Sequence, residues 1–210
     1  MKKLLTTFVV LFTVADVEAQ SPGEKIILEA SYGFNAPSNP TEDYKGVTMK
    51  PGDYAGFNNL QLGLTYQINE DWGVRGTYML ANFKNSADKD TGAQMHKLAA
   101  EAVYTLFNNA VSARYTASSN GFVLYTHVGL GVSINQSQLH GSDDFMANAQ
   151  IGVKPTYQFS NRYSVFINPL YIVNFSQHTG FDGRYLDAKS DGTIGSYYTV
   201  NLGFNVRLGK

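Results

Sequence analysis

The sequence predicts an all-β protein, an eight-stranded antiparallel up-and-down β-barrel of the transmembrane kind. Three observations carry this. A strict two-residue alternation of apolar and polar side chains returns in eight separate segments. The connections between them alternate between tight turns and long polar loops. Aromatic residues gather near both ends of the segments. Successive side chains of a strand point to opposite faces, so each segment has one greasy and one polar face. The alternation by itself leaves open which face is inside.

Residues 25–35 form the first strand, with Ile26, Leu28, Ala30, Tyr32 and Phe34 on one face. Residues 57–68 form the second, where Leu60, Leu62, Leu64, Tyr66 and Ile68 alternate with Asn59, Gln61, Gly63, Thr65 and Gln67. The third is 72–83. The fourth, 94–106, groups Leu98, Ala100, Ala102, Tyr104 and Leu106. The fifth, 121–135, groups Phe122, Leu124, Val128, Leu130, Val132 and Ile134. The sixth, 145–159, groups Phe145, Ala147, Ala149, Ile151, Val153, Tyr157 and Phe159. The seventh, 162–175, groups Tyr163, Val165, Ile167, Tyr171, Val173 and Phe175. The eighth, 196–208, groups Tyr198, Val200, Leu202, Phe204, Val206 and Leu208. Most are long enough for a tilted strand to cross a bilayer, which takes about 9–11 residues. Pro155 and Pro169 stand inside strand patterns, where each removes a ladder donor.

Residues 69–71 and 160–162 are tight turns. Residues 36–56, 85–93, 136–144 and 177–194 are polar loops rich in Gly, Asp, Ser or Pro. Short turns at one end and long loops at the other mark outer-membrane barrels. Residues 107–120 break the pattern as a long connection on the turn side, suited to a short helix or an extra hairpin.

Aromatic side chains then separate into two rings. Tyr66, Trp72, Tyr104, Phe107, Phe122, Tyr157, Phe159 and Tyr163 stand toward the turns. Phe34, Phe57, Phe145, Tyr171, Phe175, Tyr197 and Tyr198 stand toward the loops. Such girdles mark the two lipid–water interfaces. The opposite face carries Glu29, Arg75, Lys97, Glu101, His127, Lys154 and Arg207, too polar for a hydrophobic core. Gly33, Gly63, Gly129, Gly131, Gly152 and Gly203 share that face and relieve crowding in a bore only just wide enough for side chains. A two-sheet sandwich with its charged faces in water is the alternative. The strand lengths and the girdles count against it.

Residues 1–19 read as an export signal, leaving a barrel domain at 20–210. Lys2 and Lys3 supply the positive start, and residues 4–14 an apolar core too short to span a bilayer. Val17-Glu18-Ala19 is a small-residue cleavage site. The net charge of −1 argues against a nucleic-acid partner. With no Cys there are no disulfides, thiol nucleophiles or thiolate metal sites.

On these residues the chain resembles the OmpA-like family of eight-stranded outer-membrane barrels, OmpX-type small barrels included. The resemblance rests on the export signal, on F-V-L-Y-T-H-V-G-L-G-V from Phe122, and on the closing Y-T-V-N-L-G-F-N-V-R-L-G-K from Tyr198. Residues 175–183, F-S-Q-H-T-G-F-D-G, also look like loop sequence in the family. The resemblance implies a bacterial outer-membrane location. It also implies a structural or interaction role, with outer-membrane lipids and lipopolysaccharide around the wall and protein partners at the loops. The sequence stops at Lys210, where many members continue into a peptidoglycan-binding domain, so peptidoglycan is not an expected partner. It also ends in Lys rather than the aromatic residue common in such barrels.

The resemblance further implies an ionic plug, in which Glu29 and Glu101 pair with Arg75, Lys97 and Lys154. His127 is expected as a hydrogen-bonding neighbour within the lumen. Tyr66, Trp72, Tyr104, Tyr157, Tyr163, Tyr171 and Tyr198 are the expected interface aromatics. No cofactor and no catalysis are expected. A small channel is the alternative function. A lipid-modifying enzyme is a further one, on Ser176, His178 and Asp182, but i,i+2 spacing leaves Ser176 about 7 Å from His178. Asp143, Asp144, Asp187 and Asp191 lack the ordered spacing of a Ca²⁺ loop.

Overall fold

A computed structural model describes residues 25–43, 45–88, 90–108, 121–186 and 192–208. Eight strands run β1 (Ile26–Asn39), β2 (Gly56–Gln67), β3 (Trp72–Lys84), β4 (Gly92–Asn108), β5 (Gly121–Ser137), β6 (Asp143–Gln158), β7 (Tyr163–Gln177) and β8 (Thr193–Leu208). Each pairs antiparallel with its sequence neighbour, and β1 pairs with β8 to close the barrel. Closure leaves no unpaired sheet edge. The expected export signal and most of the 107–120 connection lie outside the described residues.

The register sets the width of the barrel. Paired residues followed around the wall from Ile26 pass Tyr66, Val74, Ala102, Val128, Ile151, Tyr171 and Tyr198. They return to β1 at Ala36, ten residues beyond the start. Eight strands with that stagger, about 3.3 Å rise and about 4.8 Å spacing tilt by about 41° and enclose a radius of about 8 Å. Each residue then advances about 2.5 Å along the axis, so an apolar band about 25 Å tall takes about ten residues. β4 and β5, at 17 residues each, overshoot such a band. Most of the overshoot lies at the loop end, where β1, β4, β5, β6, β7 and β8 run two to four residues past their expected limits into the loops; β4 also runs two residues past its limit at the turn end.

Pro155 and Pro169 fall in one gap in the β6–β7 ladder. Pairing stops after Gly152↔Leu170 and resumes at Thr156↔Phe166 in unchanged register. Both prolines point outward, so their missing donors coincide in one short break instead of weakening two separate ladders. The inward residues of that break, Lys154 and Asn168, both belong to the interior network described below.

The loop-side third of the bore departs from the expected polar interior. Met79, Ala81 and Phe83 of β3, Met95 of β4, Leu170 and Ile172 of β7 and Tyr197 of β8 point inward and are buried. Tyr197 is therefore not a girdle residue; it is fully enclosed. Met49 and Tyr54, from residues 40–55, and Phe181, from residues 178–192, fold into the mouth and complete this cluster. Phe83, Phe181 and Tyr197 contact one another with ring centroids 4.6 to 5.7 Å apart. Their apolar burial is the main favourable term holding two loops over the barrel.

Polar contacts fix the same loops. The Asp144 carboxylate accepts the backbone N–H of His178 at 2.7 Å and of Thr179 at 2.9 Å. Asn135 donates to the Thr179 carbonyl and Ser137 to the Gly183 carbonyl. Gly183 sits at φ +83°, in the left-handed region open to glycine, and lies against the carbonyl of Gly92. In the other loop Asp43 accepts N–H groups from Val47 and Lys45, each at 2.8 Å. Those bonds, Val47 first, hold its carboxyl below the usual range.

Truncating Phe181 to Ala removes the only described residue of 178–186 within the buried cluster. The expected loss is about 3–5 kcal/mol of global or local stability. Limited proteolysis should cut within 178–186 many times faster than in the native protein, while the strands stay resistant.

Candidate functional site

The interior holds the strongest concentration of chemistry. Arg75 of β3 bridges two carboxylates, Glu29 Oε2 at 2.7 Å and Glu101 Oε2 at 3.4 Å. Lys154 Nζ closes on Glu29 Oε1 at 2.6 Å, and Thr65 donates to the same oxygen at 2.7 Å. Thr77 donates to Glu101 Oε1 at 2.9 Å. His127 Nδ1 donates to Glu101 Oε2 at 2.5 Å, and Nε2 meets Asn168 Oδ1 at 2.9 Å. Asn168 donates to Gln61 Oε1 at 3.1 Å, as does Asn201 at 3.3 Å.

Followed through, this is one connected chain: Lys154, Glu29, Arg75, Glu101, His127, Asn168, Gln61 and Asn201. Its eight members come one each from β6, β1, β3, β4, β5, β7, β2 and β8. All are at least nine-tenths buried. Charges withdrawn from water need Coulombic partners and hydrogen bonds; Glu101 has both on its two oxygens, and Glu29 has hydrogen bonds on Oε1 and an ion pair with Arg75 on Oε2.

Glycine makes the geometry sterically possible. Glu29 faces Gly63 across the ladder, Glu101 faces Gly129, and His127 faces Gly152. A Cβ at Gly129 would stand 2.6 Å from Glu101 Cγ, and one at Gly152 would stand 2.7 Å from His127 Nε2. The charged chains therefore lie across the missing side chains of their neighbours.

The structure thus brings together Glu29, Arg75, Glu101, His127 and Lys154. It does not bring Lys97 to a carboxylate. Lys97 lies four residues above Glu101 on β4, on the same face, and donates to Gln150 Oε1. At about 3.3 Å per residue, that separation is too long for a contact pair. Lys154 also lies over the rings of Tyr125 and Phe166, at 5.3 and 5.2 Å from their centroids. Asn168, Gln61 and Asn201, which complete the chain, were not among the expected site residues. The signal for them was present: all three are amides at inward register positions, where an uncharged wall residue needs a polar partner.

The seven interface aromatics all point outward. Trp72 and Tyr104 contact at 4.7 Å, and Tyr163 stacks on Phe204 at 5.6 Å. Tyr66, Tyr157, Tyr171 and Tyr198 are exposed on the outer wall. Ser176, His178 and Asp182 do not form a triad. Asp144, not Asp182, holds His178 Nδ1, at 3.1 Å. Asp182 instead accepts the Arg184 N–H and pairs with its side chain at 3.6 Å. Asp144 serves the loop, Asp143 is exposed, and Asp187 and Asp191 lie outside the described residues.

Arg75 and Lys97 should respond oppositely to replacement by Met. Arg75→Met strands two buried carboxylates and should cost about 3–5 kcal/mol. Lys97→Met removes a buried charge that pairs with no carboxylate, and should be neutral or stabilising by about 1 kcal/mol or more. Urea unfolding of the folded barrel measures both.

No protein-family model matches the chain, and no curated protein matches it in sequence. Solved structures do. The crystal structure of Neisserial surface protein A aligns with a TM-score of 0.52 at 15% identity, over 87% of this chain and 96% of that one. The N-terminal β-barrel domain of Pseudomonas aeruginosa OprF aligns with a TM-score of 0.48 at 13% identity, over 88% and 99%. A major outer membrane protein from Thermus thermophilus aligns at 0.47 and 11%, over 87% and 98%. Closure by β1–β8 pairing, eight consecutive antiparallel strands and the match to Neisserial surface protein A together give this chain the fold of the eight-stranded outer-membrane β-barrels.

Proposed function

We propose that this protein is an outer-membrane barrel with a structural and display role, closed to solutes and presenting its loops at the cell surface. The observation that carries the reading is the reversal of polarity across the wall. Outward positions at mid-wall are apolar and bare, with Val128 57%, Leu130 70% and Leu202 66% exposed. Inward positions hold a connected ionic network. Apolar surface of that extent on a monomer requires a covering phase, and lipid is the one a barrel exterior meets.

Two obstructions close the bore. The ionic chain crosses the lower part, and the Phe83–Phe181–Tyr197 cluster seals the loop end. A bore of about 8 Å radius filled from all sides leaves no continuous path for solute. In the upper seal, residues 178–183 are pinned by Asp144, Asn135 and Ser137. That segment is held in one conformation, suited to contacts with partner proteins or lipopolysaccharide. His140 of residues 138–142 stacks on Tyr185 at 5.0 Å, joining two of them.

Three measurements test this. The folded protein should fractionate with the outer membrane and shift on a gel only after boiling; a soluble protein with no shift overturns the reading. Val128→Arg should destabilise the barrel in lipid by about 2–4 kcal/mol, the penalty for a cation at mid-bilayer, whereas a water-facing wall would tolerate it. In planar bilayers the native barrel should show no conductance steps. A variant combining Arg75→Ala with Phe181→Ala, which breaks both obstructions, should show them.

A further inference from the structure

At the turn-side mouth the charge balance of the interior changes. Between Lys97 and that mouth, inward positions carry the carboxylates Glu29 and Glu101 against the cations Lys97, Arg75, Lys154 and Arg207. Both carboxylates are already ion-paired, Glu29 with Arg75 and Lys154 and Glu101 with Arg75. Among the described residues Arg207 has no acidic partner, and it stands at the last inward position of β8. Its backbone N–H donates to the Arg162 carbonyl at 2.8 Å, which fixes the two arginines on adjacent chains at one level.

A recess of about 10 Å³ opens between them, lined by Arg162, Arg207, Tyr125, Ser160 and Ser164 among others, and by no Asp or Glu. Its hydroxyls are set as donors. Ser160 Oγ already accepts the N–H groups of Arg162 and Tyr163, at 3.2 and 3.0 Å. Ser164 Oγ accepts from Asn205 Nδ2 at 3.0 Å. Each hydroxyl keeps its hydrogen to give. Among the described residues neither Arg162 nor Arg207 takes part in a side-chain ion pair.

We propose that this recess is a binding site for a phosphate-type oxyanion. Two guanidinium forks supply the planar, bidentate donor geometry that phosphate oxygens match. The partly enclosed, acid-free setting strengthens that attraction relative to open water. The volume is about that of one water, so the site takes the oxygens of a phosphate group at its open edge rather than swallowing a whole ligand. The ligand is either free phosphate or the headgroup of an anionic phospholipid in the leaflet at the turn end. The site does not depend on the bore being closed.

The test uses the folded barrel in an uncharged detergent, titrated with inorganic phosphate and followed by ³¹P line broadening. A second arm reconstitutes it in phosphatidylcholine vesicles containing phosphatidic acid and reads co-purified lipid by native mass spectrometry. Saturable phosphate binding identifies a free-ion site. Retention of phosphatidic acid over phosphatidylcholine, without phosphate binding, identifies a headgroup site. In either case Arg162→Gln with Arg207→Gln should weaken binding at least tenfold, and the Lys pair should recover part of it. The Gln pair should keep its heat shift on a gel, which separates loss of the site from loss of the fold. No binding in either arm, or a Gln pair that binds as the native protein does, overturns the proposal.

Discussion

The narrowness of the bore is the constraint on which the rest depends. Eight strands with a stagger of ten residues leave a radius of about 8 Å, so side chains from opposite walls must meet. Whatever points inward is therefore buried and must be satisfied there. The chain answers with one connected set of contacts that takes a residue from every strand. Arg75 at its centre joins two carboxylates from strands on either side of β3's neighbourhood, β1 and β4. Strand pairing alone links only neighbours. The ionic chain links strands across the bore, and so ties the barrel in the direction its ladders do not.

The same constraint explains the glycines and prolines. A long charged side chain in a small bore needs space beside it, and Gly63, Gly129 and Gly152 provide it opposite Glu29, Glu101 and His127. Without those vacancies, Glu101 and His127 would meet a Cβ at 2.6 to 2.7 Å. Pro155 and Pro169 interrupt the wall at the point where Lys154 and Asn168 enter the network. Ladder bonds missing there are offset by interior contacts that span the break.

Up the axis the solution changes from ionic to apolar. The interior above the network adds a cluster of Met, Leu, Ile and aromatic side chains, with Phe181 and Tyr54 brought in from loops, beside buried amides such as Asn135, Asn148 and Asn174. This gives the two ends of the bore different characters. At the loop end a hydrophobic cluster packs inside the barrel and Asp144 holds the chain over it. On the turn side, among the described residues, Arg162 and Arg207 enter no side-chain ion pair.

Much of this was legible in the residues. Strict alternation gave all eight strands and the inward side of Gly33, Gly63, Gly129, Gly131, Gly152 and Gly203 and of the charged residues Glu29, Arg75, Lys97, Glu101, Lys154 and Arg207, because side chains alternate faces with a period of two. The runs Tyr78–Ala81 and Leu170–Val173 are apolar on both faces. That pattern marks two-sided burial, and so held a signal for the inner cluster and for the inward turn of Tyr197's neighbours. What alternation could not convey is height. Lys97 and Glu101 share a face of β4, yet contact depends on how far apart they stand along the strand and on what the opposite wall brings to each level. Only the stagger between strands settles that. It sets Gln150, not a carboxylate, beside Lys97, places Asp144 rather than Asp182 against His178, and carries Phe181 from a polar loop into the core. The sequence by itself determined the strands, their faces and the reversal of polarity, since these are local and periodic. Tertiary closure decided which inward residues meet, because partners across a barrel are chosen by shear, a property of all eight strands together.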